Sequence, residues 1–207
     1  MTNSHSSAEA GRELRRIVRI NEEIKIVVAT AFKINLMAMN AIFLAKRAGQ
    51  SALGFGVLSN ELRRFASDLQ QQMAGLREAT YGSVATVTAM LKQSRISRLL
   101  ERARTEAQGE GKDLIQSLAN RRDESTLAQS DEQMALLNRR LSHMIADTAQ
   151  LVELGSVLAR SAKIEAAYGG AFSVSLMQVS SDFETTNGDI QRSFENLTKN
   201  QSEDFAA

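Results

Sequence analysis

Apolar residues recur in alternating steps of three and four along the first part of the chain, beginning at Ile17. This heptad pattern predicts a long coiled-coil helix with one buried seam. The seam residues shrink from isoleucine to alanine toward Gly49, so neighbouring helices should approach one another most closely there. The predicted seam consists of Ile17, Ile20, Ile24, Val27, Ala31, Ile34, Ala38, Ala41, Ala45 and Ala48.

The same helix carries a second apolar stripe on the side away from the seam. Phe32, Leu36, Met39 and Phe43 fall at the b and f positions of the heptad register. A helix with two apolar faces must bury both or offer one of them to a partner. Two interpretations therefore stay open: the stripe packs inside a larger bundle made by the same chain, or it is exposed as a docking surface.

Three further helices are predicted by the same kind of periodicity. The first returns after Gly49, with its seam beginning at Leu58. A linker follows at 108–111, where two glycines stand beside polar residues. The third helix has its seam from Met134 onward, and Gly169-Gly170 supplies a turn because glycine adopts positive φ freely. The fourth helix begins its seam at Phe172.

These elements predict an all-α fold, a long antiparallel four-helix bundle or coiled coil built from two helical hairpins in tandem. The first hairpin covers 1–107, with its tip near 48–54, and the second, shorter-tipped hairpin covers 112–207. Both inner arms are about 55 residues long, or about 80 Å at 1.5 Å per residue, so the hairpins can lie side by side. We expect a monomer in which one chain forms a pseudo-dimer. The alternative is a homodimer that pairs hairpin to hairpin.

Composition narrows the possibilities further. The chain has no proline, which favours uninterrupted helices, and no cysteine, which excludes disulfides and fits a reducing compartment. The net charge of +1 gives no reason to expect nucleic-acid binding. The apolar run 24–32 is interrupted by Lys25 and is shorter than the ~20 residues of a membrane span. We therefore expect a cytoplasmic protein without direct membrane insertion.

No constellation of residues suggests chemistry. The two histidines, His5 and His143, have no cysteine, carboxylate cluster or second histidine at metal-ligand spacing. The glycines at 49, 54 and 56 do not form a phosphate loop, because no strand precedes them and no Lys-Ser/Thr follows. The sequence predicts neither an enzyme nor a bound metal or cofactor.

The segments 31–49 and 54–66 carry a family resemblance. They read AFKINLMAMNAIFLAKRAG and GFGVLSNELRRFA. Together they resemble the signalling hairpin of bacterial methyl-accepting chemotaxis proteins, over about forty residues without a gap. That family has a helix ending roughly in Asn-Ala-Ala-Ile-Glu-Ala-Ala-Arg-Ala-Gly, followed by Gly-Phe-Ala-Val-Val. The resemblance implies a non-enzymatic module that binds a chemosensory histidine kinase, its coupling protein or chemoreceptor tips.

The resemblance also implies which residues contact a partner, because the outward positions near the family's tip mediate such contacts. Leu44 stands where the family has glutamate, so the family's glutamate–arginine contact across a trimer cannot form with Arg47. Receptor-style trimers are not expected for this reason. The implied tip residues are Phe32, Leu36, Met39, Asn40, Phe43, Leu44, Arg47, Phe55, Val57, Glu61 and Arg64.

A second, degenerate copy of the hairpin is predicted near the end of the chain. The string Ile164-Glu-Ala-Ala167 and the Phe172-Ser-Val174 that follows it resemble the same family motifs with a shorter tip. The implied second tip consists of Glu165, Tyr168 and Phe172. Ordinary alanine-rich coiled coil that happens to end in Gly-Gly is the alternative explanation.

Two functions remain open at the level of sequence. The first is a stand-alone, chemoreceptor-like signalling module that docks through its hairpin tip and modulates chemotaxis-type signal transduction. The second is a structural coiled-coil scaffold or soluble helical-bundle sensor that shares only ancestry with receptors. Exposure of the outer stripe distinguishes them, because a scaffold needs only the seam.

Overall fold

The computed structural model describes the backbone of residues 2–202 and the side chains of residues 11–120 and 132–201. Within residues 2–202 it has four long helices and no strand, which confirms the all-α prediction. Two short 3₁₀ turns, Gly49–Ala52 and Gly170–Phe172, connect the helices of each hairpin. The long helices are α1 Thr2–Ala48, α2 Leu53–Glu106, α3 Glu110–Ala167 and α4 Ser173–Ser202.

Heptad periodicity explains how α1 buries one face. Nine of the ten predicted seam residues are buried, and Ala48 at the end of the helix is half-buried. The predicted seam is therefore confirmed. Because the chain contains no proline, the backbone hydrogen-bond ladder of each helix continues without a missing donor.

Glycine serves two different purposes at the turns. Gly49 has φ +67° and Gly170 has φ +57°, a left-handed conformation that side chains with a Cβ rarely adopt. Gly169 has an ordinary φ of −71° but is buried. A Cβ on Gly169 would overlap the side chain of Leu176. The second turn thus needs Gly170 for its backbone conformation and Gly169 for close packing.

The chain divides into two compact units, and the division cuts across the helices. One unit contains Met1–Arg19 and Glu78–Leu141, and the other contains Ile20–Arg77 and Ser142–Ala207. We call the second the tip unit, because it includes both turns and every predicted tip residue. The predicted division into two hairpins, 1–107 and 112–207, that pack together as one bundle stays a prediction.

The first unit has a small core that includes Ile17, Val87 and Met134. Beside this core lies a buried polar group that the sequence did not indicate. Arg16 is 7% exposed, forms an ion pair with Glu13 and donates from Nη2 to Asn138 Oδ1 at 2.6 Å. The guanidinium therefore links α1 to α3.

In the tip unit, segments of all four helices pack around one core. Thr186 of α4 lies 3.8 Å from the Met37 sulfur of α1, and Asn187 of α4 donates to Ser156 of α3 at 2.7 Å. Phe65 of α2 packs into the space beside Gly155 of α3. The fully buried side chains at the centre include Phe55, Leu62, Leu69, Met73, Leu76, Leu176 and Phe183. The tip unit is a four-helix bundle.

Among the side-chain-described residues, the helical residues of Gly11–Glu106 include one 18-residue window that is apolar enough to cross a membrane by length and composition. The sequence-based expectation rested on the shorter run 24–32 and overlooked this window. Only 28% of the window is buried. Because core helices of water-soluble proteins also pass such a test, this is weak support for a span.

Candidate functional site

The outer stripe of α1 is exposed. Phe32 is 55% exposed, Leu36 46%, Met39 40% and Phe43 61%. Between 40% and 61% of each side chain is thus open to solvent, so the interpretation in which this stripe packs inside the chain's own bundle does not hold in this structure. From Phe32 to Phe43 the stripe extends about 16 Å along the helix.

The stripe lies on a rigid support. Ala38, Ala41 and Ala45 on the opposite face of α1 are 0%, 0% and 6% exposed. Since residues three and four apart share a helix face, buried alanines on one side fix the orientation of the large apolar side chains on the other. The exposed stripe therefore belongs to a well-packed helix.

The apolar surface continues across the turn into α2. Leu53 is 59% exposed and Val57 is 63% exposed. Asn40 and Arg47 are also exposed, whereas Leu44 is half-buried. These residues give the first tip an apolar centre with polar side chains at its edge.

Phe55 does not lie on this surface. It is 0% exposed, and its ring belongs to the core of the tip unit. The predicted role of Phe55 as a contact residue therefore does not hold in this structure. Spacing could have shown this, because Phe55 precedes Leu62, a buried residue of the α2 seam, by one heptad.

A shallow groove of about 450 Å³ lies on the tip unit between α1 and α2. Arg64 at its edge donates to Glu61 at 2.9 Å, and both predicted tip residues remain accessible. Two of the lining side chains are cationic, so the groove borders the apolar stripe with positive charge. The groove is lined by Asn35, Met39, Arg63, Arg64, Ser67 and Gln70.

The second tip packs directly against the first. The carboxylate of Glu165 lies so close to Gly54 of α2 that a Cβ on this glycine would overlap it. A Cβ on Gly170 would lie 3.7 Å from Ser51 Oγ in the first turn. Tyr168 is 74% exposed and Phe172 is half-buried. Of the three predicted residues, Tyr168 offers the most surface, whereas Glu165 is engaged with α2.

Sequence reasoning missed a second apolar stripe, on α3. Leu154 is 49% exposed, Val157 55%, Ile164 63% and Tyr168 74%. The signal was present in the sequence, because these residues recur at helical spacing but out of phase with the α3 seam at Gly155, Ala162 and their heptad neighbours. The tip unit thus presents two separate apolar stripes.

Polar contacts hold α3 and α4 together below the second tip. Lys163 donates to Glu184 at 2.9 Å, and this hydrogen bond lowers the pKa of the Glu184 carboxyl. Gln191 donates to Ser156 at 2.9 Å. Both contacts are accessible to water, so they fix geometry more than they stabilise the fold.

Among the residues with described side chains, no group of three or more His, Cys, Asp or Glu could hold a metal ion. His143 is exposed, with its Nδ1 3.9 Å from Asp147 Oδ1. The features that distinguish the tip unit are therefore its two apolar stripes and the charges beside them.

Comparison with known proteins gives distant, partial similarities to chemotaxis transducers. The chain is 31% identical over 97 residues to the sensory transducer protein YvaQ of Bacillus subtilis, covering 44% of this chain and 17% of that protein. It is 30% identical over 86 residues to the methyl-accepting chemotaxis protein PctB of Pseudomonas aeruginosa, covering 40% of this chain and 14% of PctB. It is 29% identical over 97 residues to McpG of Pseudomonas putida, a methyl-accepting chemotaxis protein, covering 45% of this chain and 16% of McpG.

The chain spans less than a fifth of the length of these relatives. No family model matches the sequence. No solved structure matches it either. The similarities support a domain related to methyl-accepting chemotaxis proteins and a chemoreceptor-related signalling role.

Proposed function

We propose that this protein is a non-enzymatic signalling module of the cytoplasm that docks through its first tip onto a chemosensory histidine kinase, its coupling protein or chemoreceptor tips. The observation that carries the proposal is the exposed stripe of Phe32, Leu36, Met39 and Phe43. The stripe lies within the segment that resembles the receptor signalling hairpin. By occupying the partner's contact surface, this module would modulate kinase signalling.

The size of the stripe fits a docking centre. Full burial of one such side chain contributes about 1.5–3 kcal/mol, so burying four that are about half exposed contributes roughly 4 kcal/mol before the costs of association. Arg47 and Arg64 stand at the edge, where exposed charges steer a partner and set specificity more than affinity. The stripe alone would support weak binding, and contacts at the edge would add selectivity.

Leu44 gives this surface a chemistry different from that of the family. It is half-buried beside the stripe and exposes a hydrocarbon where the family places a carboxylate. Arg47 thus lacks the glutamate that would face it in a trimer of receptor-like tips. The proposed partner contact is therefore an apolar one, bordered by Arg47.

We also propose that the two hairpins are degenerate repeats and that one chain forms the whole receptor-like bundle as a pseudo-dimer. The four helical segments already surround one core in the tip unit without a second chain. Light scattering at low protein concentration should give a mass near 22.7 kDa. A mass near twice this value at the lowest concentrations would instead indicate hairpins paired between chains.

The test of docking is co-sedimentation of the purified protein with kinase, coupling protein and receptor fragments of one chemosensory system. Phe43→Glu places a charge at the end of the stripe nearest the turn and should abolish binding, while melting stays nearly unchanged because Phe43 is 61% exposed. Leu99→Glu is the matched control, since Leu99 is 57% exposed in the other unit. If the Phe43 variant bound as well as wild type, the docking role of this surface would be refuted.

If neither wild type nor control binds any of these partners, the scaffold alternative becomes the better explanation. A scaffold uses only the buried seams. In that case Phe43→Glu should not change the behaviour of the protein toward chemosensory kinase, coupling protein or receptor fragments.

A further inference from the structure

Each apolar stripe of the tip unit is several helical turns long. From Phe32 to Phe43 the α1 stripe extends about 16 Å, and from Leu154 to Tyr168 the α3 stripe extends about 21 Å. We call the surface from Phe32 to Arg47 the α1 face and the surface from Leu154 to Tyr168 the α3 face. Each is an exposed, regularly spaced set of large side chains on a helix whose other side is buried. Each can therefore accept a helical surface of similar length.

The stretches of chain that carry the two faces have net charges of opposite sign. The stretch 32–67, which contains the α1 face and the following part of α2, has five basic residues and one acidic residue. That acidic residue, Glu61, is already paired with Arg64 at 2.9 Å. The stretch 153–184, which contains the α3 face and the start of α4, has four acidic and two basic residues. One of those basic residues, Lys163, is paired with Glu184 at 2.9 Å.

This asymmetry decides which contacts between copies are favourable. Two α1 faces brought together would place Lys46, Arg47 and their neighbours against like charges, and like-charge juxtaposition is destabilising. Two α3 faces would repel more weakly through their acidic residues. An α1 face against an α3 face buries apolar surface on both sides and brings opposite charges together.

The two faces of one chain do not cover each other. Both lie on helices packed into the same bundle, and both stay exposed there. A second copy offers the complementary face in a free form. We propose that the α1 face of one copy docks on the α3 face of another copy. Such a contact is heterologous, so it builds open chains or closed rings instead of a symmetric dimer.

This self-association is separate from the proposed binding to chemosensory partners, and it is measured with the purified protein alone. If the protein fails to bind chemosensory partners, the proposal of self-association is not contradicted, and the reverse also holds. The assay is sedimentation equilibrium or light scattering over a wide range of protein concentrations. Wild type should show a mass that rises with concentration beyond that of a dimer.

Two variants and their mixture test the heterologous contact. Phe43→Glu disables the α1 face and Ile164→Glu disables the α3 face; both side chains are more than 60% exposed, so the fold should persist. Each variant alone should associate at least about 30-fold more weakly than wild type, which corresponds to ~2 kcal/mol. Mixing the two should restore association, but only to a dimer, because each variant keeps one intact face and the two intact faces differ.

Circular dichroism checks that both variants fold, and Leu99→Glu should associate like wild type. Association should weaken as salt is raised from about 0.1 M to about 1 M, because the Debye length falls from about 10 Å to about 3 Å. The proposal is overturned if wild type stays monomeric throughout. It is also overturned if either single variant associates like wild type, or if the mixture associates no better than its components.

Discussion

Gly155 of α3 provides a direct test of how the tip unit is packed. It is buried, and a Cβ added there would lie 2.5 Å from Phe65 Cζ, 2.9 Å from Phe65 Cε1 and 2.5 Å from Asn187 Oδ1. Carbon atoms in contact normally lie about 3.5–4.0 Å apart. Gly155→Ala therefore forces the buried ring of Phe65, the Asn187 amide or the α3 backbone to move by about 1 Å.

The magnitude follows from two opposing effects. Overpacking a core by one methyl group costs about 1–3 kcal/mol. Replacing glycine by alanine inside a helix gains about 1 kcal/mol. Gly188→Ala in α4 is the matched control, because its added Cβ meets no described atom within 4 Å and should show only the gain. The difference in unfolding free energy between the two variants thus isolates the packing cost, about 1–3 kcal/mol.

Urea unfolding followed by far-UV circular dichroism measures this difference. Gly155→Ala should have the lower midpoint of the two variants, with an unchanged dependence on denaturant. Adding Phe65→Leu removes both ring atoms near the new methyl group, so the penalty should shrink in that background. Equal stabilisation by both glycine substitutions would refute the placement of Phe65 and Asn187 against Gly155.

Two further predictions concern the turns and a surface pair. Gly49→Ala and Gly170→Ala should each lower the unfolding free energy by roughly 1 kcal/mol, because both positions have positive φ. Gly111→Ala, at an uncrowded helical position, should not lower it. Lys163→Met should raise the pKa of the Glu184 carboxyl toward its ordinary value, as measured by NMR titration, because the hydrogen bond from Lys163 lowers it. Because the folded-state pKa of Glu184 is lowered, its ionised carboxyl stabilises the fold at pH values above the unfolded-state pKa, and this contribution disappears as pH falls through the folded-state pKa. An unchanged titration of Glu184 in the variant would contradict its pairing with Lys163.

Periodicity allowed the helices and the α1 seam to be predicted from sequence. The spacing of apolar residues is a local property of the chain, and a helix converts that spacing directly into a buried face. Ile20, Val27, Ala31 and Ala38 are accordingly all 0% exposed. Phe55 was misassigned because family likeness was preferred to its heptad position, which placed it in the core.

Other features required the packed structure, because they depend on neighbours that are distant in sequence. Arg16 is buried by its contact with Asn138, and Glu165 is held against Gly54 across the bundle. No local pattern distinguishes such residues from solvated ones. The α3 face was visible as spacing but could be recognised as exposed only when the partners of α3 were known.

The sequence by itself determined that this protein forms long helices with heptad seams, that its turns contain glycine, and that one segment resembles a chemoreceptor tip. Backbone periodicity and the conformational freedom of glycine are sufficient for the first two conclusions, whereas the third rests on the residues of 31–49 and 54–66. Only the tertiary structure decided which apolar faces are buried and which are left open. Whether a face is buried depends on how many helices surround it. In the tip unit, four helical segments bury the seams and leave the outer faces of α1 and α3 uncovered.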